Sequence, residues 1–171
     1  WCTRFVGRNF PEALVKIRYF ARFHKRLNLK NPQTLNEKIL YMSLRGNTSR
    51  WTQLADKYNV REYIKSCGLA QILVPLYGHW EKAEDINFEL LPDSFVLKTT
   101  QGSGDIILIK NKNTIDKFDV IKRMDIAVKT KYGELEGGKH YMRIKPAIIA
   151  EGLISNDEES KKHSTSIIDY K

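Results

Sequence analysis

Two short apolar runs, Phe95–Leu97 and Ile106–Ile109, flank the polar stretch Lys98-Thr99-Thr100-Gln101-Gly102-Ser103-Gly104-Asp105. Runs of this length and type around a glycine-bearing loop predict an antiparallel hairpin with a flexible tip. Lys98 stands where the first strand meets that loop. Glycine lacks a Cβ, so its main-chain N–H groups can close around an oxyanion. A lysine aimed at the same place adds a mobile point charge. Together they suit a polyphosphate. The plainer alternative is that Gly and Ser serve turn geometry alone and the lysine guards a strand edge. No Gly-Lys-Ser/Thr closes the loop, so it is not a Walker A motif. A strand follows it and a third glycine is missing, so it is not a dinucleotide fingerprint.

The chain has 171 residues, enough for one ordinary domain or pieces of two. An apolar share of 42% with 11% aromatics argues for a packed core and against disorder. No run approaches the roughly 18 apolar residues of a bilayer span, and no signal-peptide h-region is seen. Both features point to the cytoplasm, with the inner face of the membrane as one place of contact. The chain begins at Trp1 and stops at Lys171 without a closing element, which reads as a fragment. Cys2 and Cys67 have no CxxC partner, so reduced thiols are expected. His24, His79, His140 and His163 show no metal-ligand spacing.

The charge is uneven. Residues 1–70 hold 14 Lys and Arg against 4 Asp and Glu, and residues 71–171 hold 15 against 16. The first part therefore carries the excess, which suits a polyanion, an anionic membrane or an acidic substrate, or else a solvated helix surface. There Asn9, Pro11 and Glu12 predict a helix start, with the helix running Pro11–Leu27. Leu14, Ile17, Phe20 and Ala21 are its expected buried face, with Phe23 and Leu27 beyond. Thr34 and Glu37 match a capping box for the next helix, which ends near Gly46. Trp51–Ala55 is open between strand and helix. Val60–Cys67 is helical with Gly68 as its cap, and Ile72–Tyr77 is an edge strand beside Pro75. A helix from Thr114 or Asp116 reaches about Lys131. Gly133–Lys139 reads as loose, and Tyr141–Lys145 and Ala147–Leu153 as strands. Asn156–His163 is polar, and Ser166–Lys171 starts a further strand.

The order of these pieces carries a family resemblance. Thr34–Ile39, Ala55–Tyr63, Leu91–Lys98, Gly102-Ser103-Gly104, Ile148–Glu151 and Asp169-Tyr170-Lys171 together resemble the TupA-like branch of the ATP-grasp enzymes, linked to teichuronopeptide and capsular polysaccharide synthesis. The match covers most of residues 30–171. One departure is Gln101, where a histidine is expected before Gly-Ser-Gly.

The resemblance implies an α+β ATP-grasp fold holding ATP between two lobes. Residues 1–50 would be a basic helical extension and 51–94 a linking segment. Residues 95–155 would be the nucleotide lobe, and 156–171 the start of a truncated C-terminal lobe. It implies that Lys98 and Lys57 contact the nucleotide phosphates and that Gly102, Ser103 and Gly104 form a flap over them, with Gln101 a further phosphate donor. Glu151, Leu153 and Ile154 would border the adenine, Asp169 would approach the ribose and Lys171 the phosphates. Val96 and Ile107 would line the adenine pocket or simply fill the core. Mg2+ would be held by carboxylates beyond Lys171, and the piece alone would be inactive. The implied reaction is an ATP-dependent carboxylate–amine ligation through an acylphosphate. A kinase- or glycosyltransferase-type transferase, or a non-enzymic polyanion-binding module, stands as the alternative. No DNA- or RNA-recognition motif accompanies the basic charge.

Overall fold

Alternation along one strand sets the architecture. Phe95, Leu97 and Thr99 are almost wholly buried, and Val96 and Lys98 between them are only half-buried. This period of two marks a sheet with one sealed face and one that is partly open. The computed structural model describes residues 2–154. Within them β1 (Leu76–Trp80), β2 (Phe95–Thr99), β3 (Ile106–Ile109) and β4 (Ile148–Glu151) form an antiparallel sheet in the order β1-β4-β2-β3. The expected hairpin is β2–β3, paired from Phe95 with Ile109 to Lys98 with Ile106.

The sealed face carries Phe95, Leu97, Ile107, Ile109, Ile148 and Ala150. It packs on α6 (Lys117–Lys129) through Val120, Met124, Ala127 and Val128. Asp116 caps α6, its Oδ1 accepting from the Phe118 and Asp119 N–H groups at 2.9 and 3.3 Å. The other face carries Val96, Lys98, Ile106, Leu108, Ile149 and Glu151, as the β2–β3 and β2–β4 registers require.

Beside α1 (Cys2–Asn9), α2 (Pro11–Phe23) and α3 (Leu35–Arg45) build with Leu27 a second apolar cluster, to which they give Val15, Tyr19 and Leu44. They lean on α7 (Tyr132–Glu136) and α8 (Lys139–Met142). Arg18 pairs with Glu136, and Lys139 donates to the Leu44 carbonyl at 3.3 Å. Gly7 lies against the Glu134 carbonyl so closely that a Cβ would stand 1.7 Å from its oxygen. The capping box on α3 is present: Thr34 Oγ1 accepts from Glu37 N at 3.2 Å, and Glu37 Oε2 accepts from Thr34 N at 3.0 Å.

Several expectations give way. Asn9 ends α1 and its side chain donates to the Phe5 carbonyl, so Phe10 precedes α2 without a side-chain cap. Helix α2 stops at Phe23, not Leu27, because His24 turns left-handed (φ 53°) and its N–H closes on Phe20 O. Its buried residues are Leu14, Val15 and Tyr19, whereas Ile17, Phe20 and Phe23 are exposed. The helix has apolar residues on two sides, so periodicity alone picks no inner face. Trp51–Ala55 lies in the helix α4 (Ser49–Ala55). Val60–Ser66 is α5, and the edge strand β1 starts after Pro75 and runs through His79 to Trp80. The stretch expected to be loose holds α7, closed by Gly137 in a left-handed cap, and part of the expected Tyr141–Lys145 strand is α8. The expected strand at 166–171 lies outside the described residues.

The two faces predict unequal responses. Leu97→Ala should cost about 2–5 kcal/mol of unfolding free energy. Leu108→Ala, on the open face, should cost under about 1 kcal/mol. Urea titration of the two variants against the parent chain checks this.

Candidate functional site

The open face of the sheet carries a cluster of charge. β2 places Lys98 and β4 places Glu151 on that face, and Lys98 Nζ pairs with Glu151 Oε2. On its other oxygen Glu151 accepts from Arg61 Nη1 at 3.0 Å. Arg61 projects from α5, and its Nη2 donates to the Val74 carbonyl at 2.7 Å. Exposure is graded across the three side chains: Glu151 7%, Arg61 10% and Lys98 24%. A buried carboxylate needs both charge and hydrogen bonds, and here it has two cations. Lys98 is the outermost of the three, so its ammonium can reach a second anion.

Lys57 approaches the same place from the segment between α4 and α5. Its main-chain N–H donates to Thr100 O at 3.1 Å and its Nζ to Gly102 O at 2.7 Å. Asp56 fixes that turn, its Oδ1 accepting from the Tyr58 and Asn59 N–H groups at 2.9 and 3.1 Å. Burial lowers the Lys57 pKa below the usual lysine value, and the neighbouring Lys98 charge lowers it further. Asp105, Asp56 and Glu151 act in the opposite sense. Burial also raises the Asp105 carboxyl, with the Lys57 charge opposing.

The hairpin tip has a fixed root and an open end. Thr99 Oγ1 donates to Gln101 O at 2.7 Å. Thr100 accepts from Ala147 N at 3.0 Å and donates to Lys145 O at 3.2 Å. Gln101 is buried, and its Nε2 donates to Val128 O at 3.2 Å and Thr130 O at 2.7 Å, ending α6. Its amide is thus spent on the helix end instead of facing the cluster. Gly102 (φ 78°) and Gly104 (φ 96°) adopt backbone that favours glycine. A Cβ on Gly102 would stand 2.8 Å from the Tyr132 ring, whereas Gly104 has open space. Ser103 is exposed.

Beyond Glu151, Gly152 N donates to Pro75 O at 2.9 Å, Leu153 is half-buried and Ile154 exposed. Asp169 and Lys171 lie outside the described residues. Ile107 packs in the core, so it is Ile106 and Leu108 that stand on the Lys98 face with Val96. The structure therefore brings together Lys57, Lys98, Glu151 and the Gly102–Gly104 loop. Arg61, Asp105, Ile106 and Leu108 were missed. Arg61 reads as one more basic residue on a short helix. In Ile106–Ile109 every position is apolar, so no alternation marks the face. Among the described residues no group of three or more His, Cys, Asp or Glu is placed to hold a metal.

Among family models, the one described as TupA-like ATPgrasp matches residues 37–171. No curated protein matches, and no solved structure does.

Three substitutions probe the site's frame. Arg61→Ala leaves the buried Glu151 with Lys98 alone and should lower unfolding free energy by about 3 kcal/mol. Gly102→Ala meets both the positive φ and the Tyr132 ring, so it should destabilise more than Gly104→Ala, which meets the φ cost alone, about 1 kcal/mol. Chemical denaturation of the three variants reads both effects.

Proposed function

The chain belongs to the TupA-like ATP-grasp family, and on that premise we propose that it serves an ATP-dependent carboxylate–amine ligase of cell-surface polymer synthesis. The observation that carries the reading is the cation cluster beside a glycine loop: Lys98 and Lys57 converge under Gly102–Gly104, with Glu151 held by Arg61 behind them. Phosphoryl transfer asks for charge neutralisation and alignment more than covalent help. Two ammonium groups and free main-chain donors supply both.

The residues fit ATP. The triphosphate lies by Lys98, which exchanges part of its contact with Glu151 for phosphate oxygen. Lys57 holds the loop through Gly102 O and adds a second positive charge. Ser103 and Gly104, exposed at the tip, cover the phosphates with N–H groups. Val96, Ile106 and Leu108 give the purine an apolar wall on the same face. Leu153 and Ile154 follow Glu151 on the segment beside that wall. Mg2+, when bound with the nucleotide, would neutralise developing charge on the phosphates. In the reaction a substrate carboxylate oxygen attacks the γ-phosphorus and the bond to ADP breaks. The incoming amine then attacks the acyl carbon, phosphate leaves, and the amine gives up a proton.

The direct test is calorimetric titration with ATP and Mg2+. Binding by the parent chain and its loss, by tenfold or more, in Lys98→Ala is the expected result; a parent that binds no nucleotide refutes the reading. The pH dependence follows from Lys57. Its pKa lies below 10.5, so its ammonium is lost earlier than an ordinary lysine's as pH rises. Affinity should therefore fall as pH climbs through that lowered range, and Lys57→Ala should bind more weakly below it and lack that fall.

A further inference from the structure

Helix α2 carries a second apolar stripe that the fold leaves uncovered. Phe10 at its N-terminal boundary, Ile17 and Phe20 are 59%, 63% and 54% exposed. With Ala13 they recur at three- and four-residue spacing, which puts them on one side. That side lies across the helix from Val15 and Tyr19, which α2 buries, and buried Leu14 borders it. The stripe is flanked in sequence by dense positive charge: residues 4–30 hold eight Lys and Arg and one acid, Glu12. Glu12 is already engaged by Lys16 and Arg45, each at 2.7 Å. Arg4 and Arg18 are held by Glu134 and Glu136, so Arg8, Arg22, Lys25, Arg26 and Lys30 supply the positive excess beside this ridge of large apolar side chains.

We propose that α2 docks flat on an anionic lipid surface, Phe10, Ile17 and Phe20 entering the headgroup–acyl boundary and the surrounding Lys and Arg facing lipid phosphate. Thirteen residues rise only about 20 Å, so the helix lies in the interface and does not cross the bilayer. Charge selects this occupant. A second copy of the same face would set two basic segments against each other. A nucleic acid would meet the basic groups but give the Phe and Ile ridge no apolar medium to enter. The proposal is independent of the nucleotide reading, since none of its residues touches the Lys98 cluster.

The test is flotation of the whole chain with vesicles of 30% phosphatidylglycerol in phosphatidylcholine, against phosphatidylcholine alone. Binding to the anionic vesicles only, weakened in 0.5 M salt, is expected. The double variant Ile17→Ser/Phe20→Ser changes exposed side chains and should keep the fold, checked by its circular dichroism. Its partition should fall roughly tenfold or more. Three results overturn the proposal: no binding to anionic vesicles, equal binding by the double variant, or self-association that this variant abolishes while vesicles are ignored. ATP binding by the same variant should be unchanged, so either reading can fail alone.

Discussion

One buried carboxylate organises the open face of the sheet. Glu151 sits at the end of a strand whose four residues are all buried, where an unpaired charge would cost several kcal/mol. Arg61 and Lys98 meet its two oxygens from distant points of the sequence, ninety and fifty-three residues before it. The pairing thus ties α5, β2 and β4 together at one point. Arg61 is the buried member, fixed as well by the Val74 carbonyl, so it acts as the permanent partner. Lys98 has a single carboxylate partner among the described residues and a side chain open to solvent by a quarter. A guanidinium with two fixed acceptors holds position, whereas an ammonium on a flexible stem can change partners. The cluster is thereby divided into a holding cation and a presenting cation.

The hairpin tip follows the same division. Thr99, Thr100 and Gln101 bind inward, to the loop itself, to the segment before β4 and to the end of α6. Ser103 and Gly104 are exposed, and the chain is taken up again where Ile106 N donates to Gly104 O at 3.0 Å and Thr99 N to Asp105 O at 3.3 Å. Lys57 reaches across to it through the Gly102 carbonyl. Ser103 thus stands at the exposed tip of a short loop held at Thr99, Gly102 and Asp105. Lys57 is well suited to hold its edge. Its own main-chain N–H is bonded to Thr100, so backbone and side chain grip the two ends of one short stretch.

Much of this was legible from residues alone. The hairpin, the position of Lys98 and the loop's glycines came from β-rich runs around a polar stretch, a local pattern that tertiary packing had no reason to override. The capping box of Thr34 and Glu37 was equally local. The misreadings share a cause: a sequence shows which residues are apolar but not which apolar side is covered. Helix α2 has two apolar sides, and packing on α7 and Leu44 chose Val15 and Tyr19 over Ile17 and Phe20. Strand β3 is apolar at all four positions, so the face bearing Ile106 and Leu108 appears only once its register with β2 is known. Gln101 stood in a phosphate loop by position, yet the unsatisfied carbonyls at the end of α6 took its amide. Arg61 was invisible as a site residue because a buried guanidinium and a solvated one are written with the same letter.

The position of the basic residues makes the last point. Of the fourteen in residues 1–70, two, Lys57 and Arg61, are drawn into the cluster by specific acceptors, and both lie near the end of that stretch. Those of residues 4–30 face a different demand. Arg4 and Arg18 use Glu134 and Glu136 to seat the N-terminal helices on α7. That leaves a segment still strongly positive around an uncovered ridge of Phe and Ile. A charge excess counted over the whole chain merges two separate roles, an inner pair that builds a site and an outer field beside a surface. Burial is what separates them: the inner cations are aimed at single oxygens in a low-dielectric setting, where geometry decides, while the outer ones act by number, where salt decides.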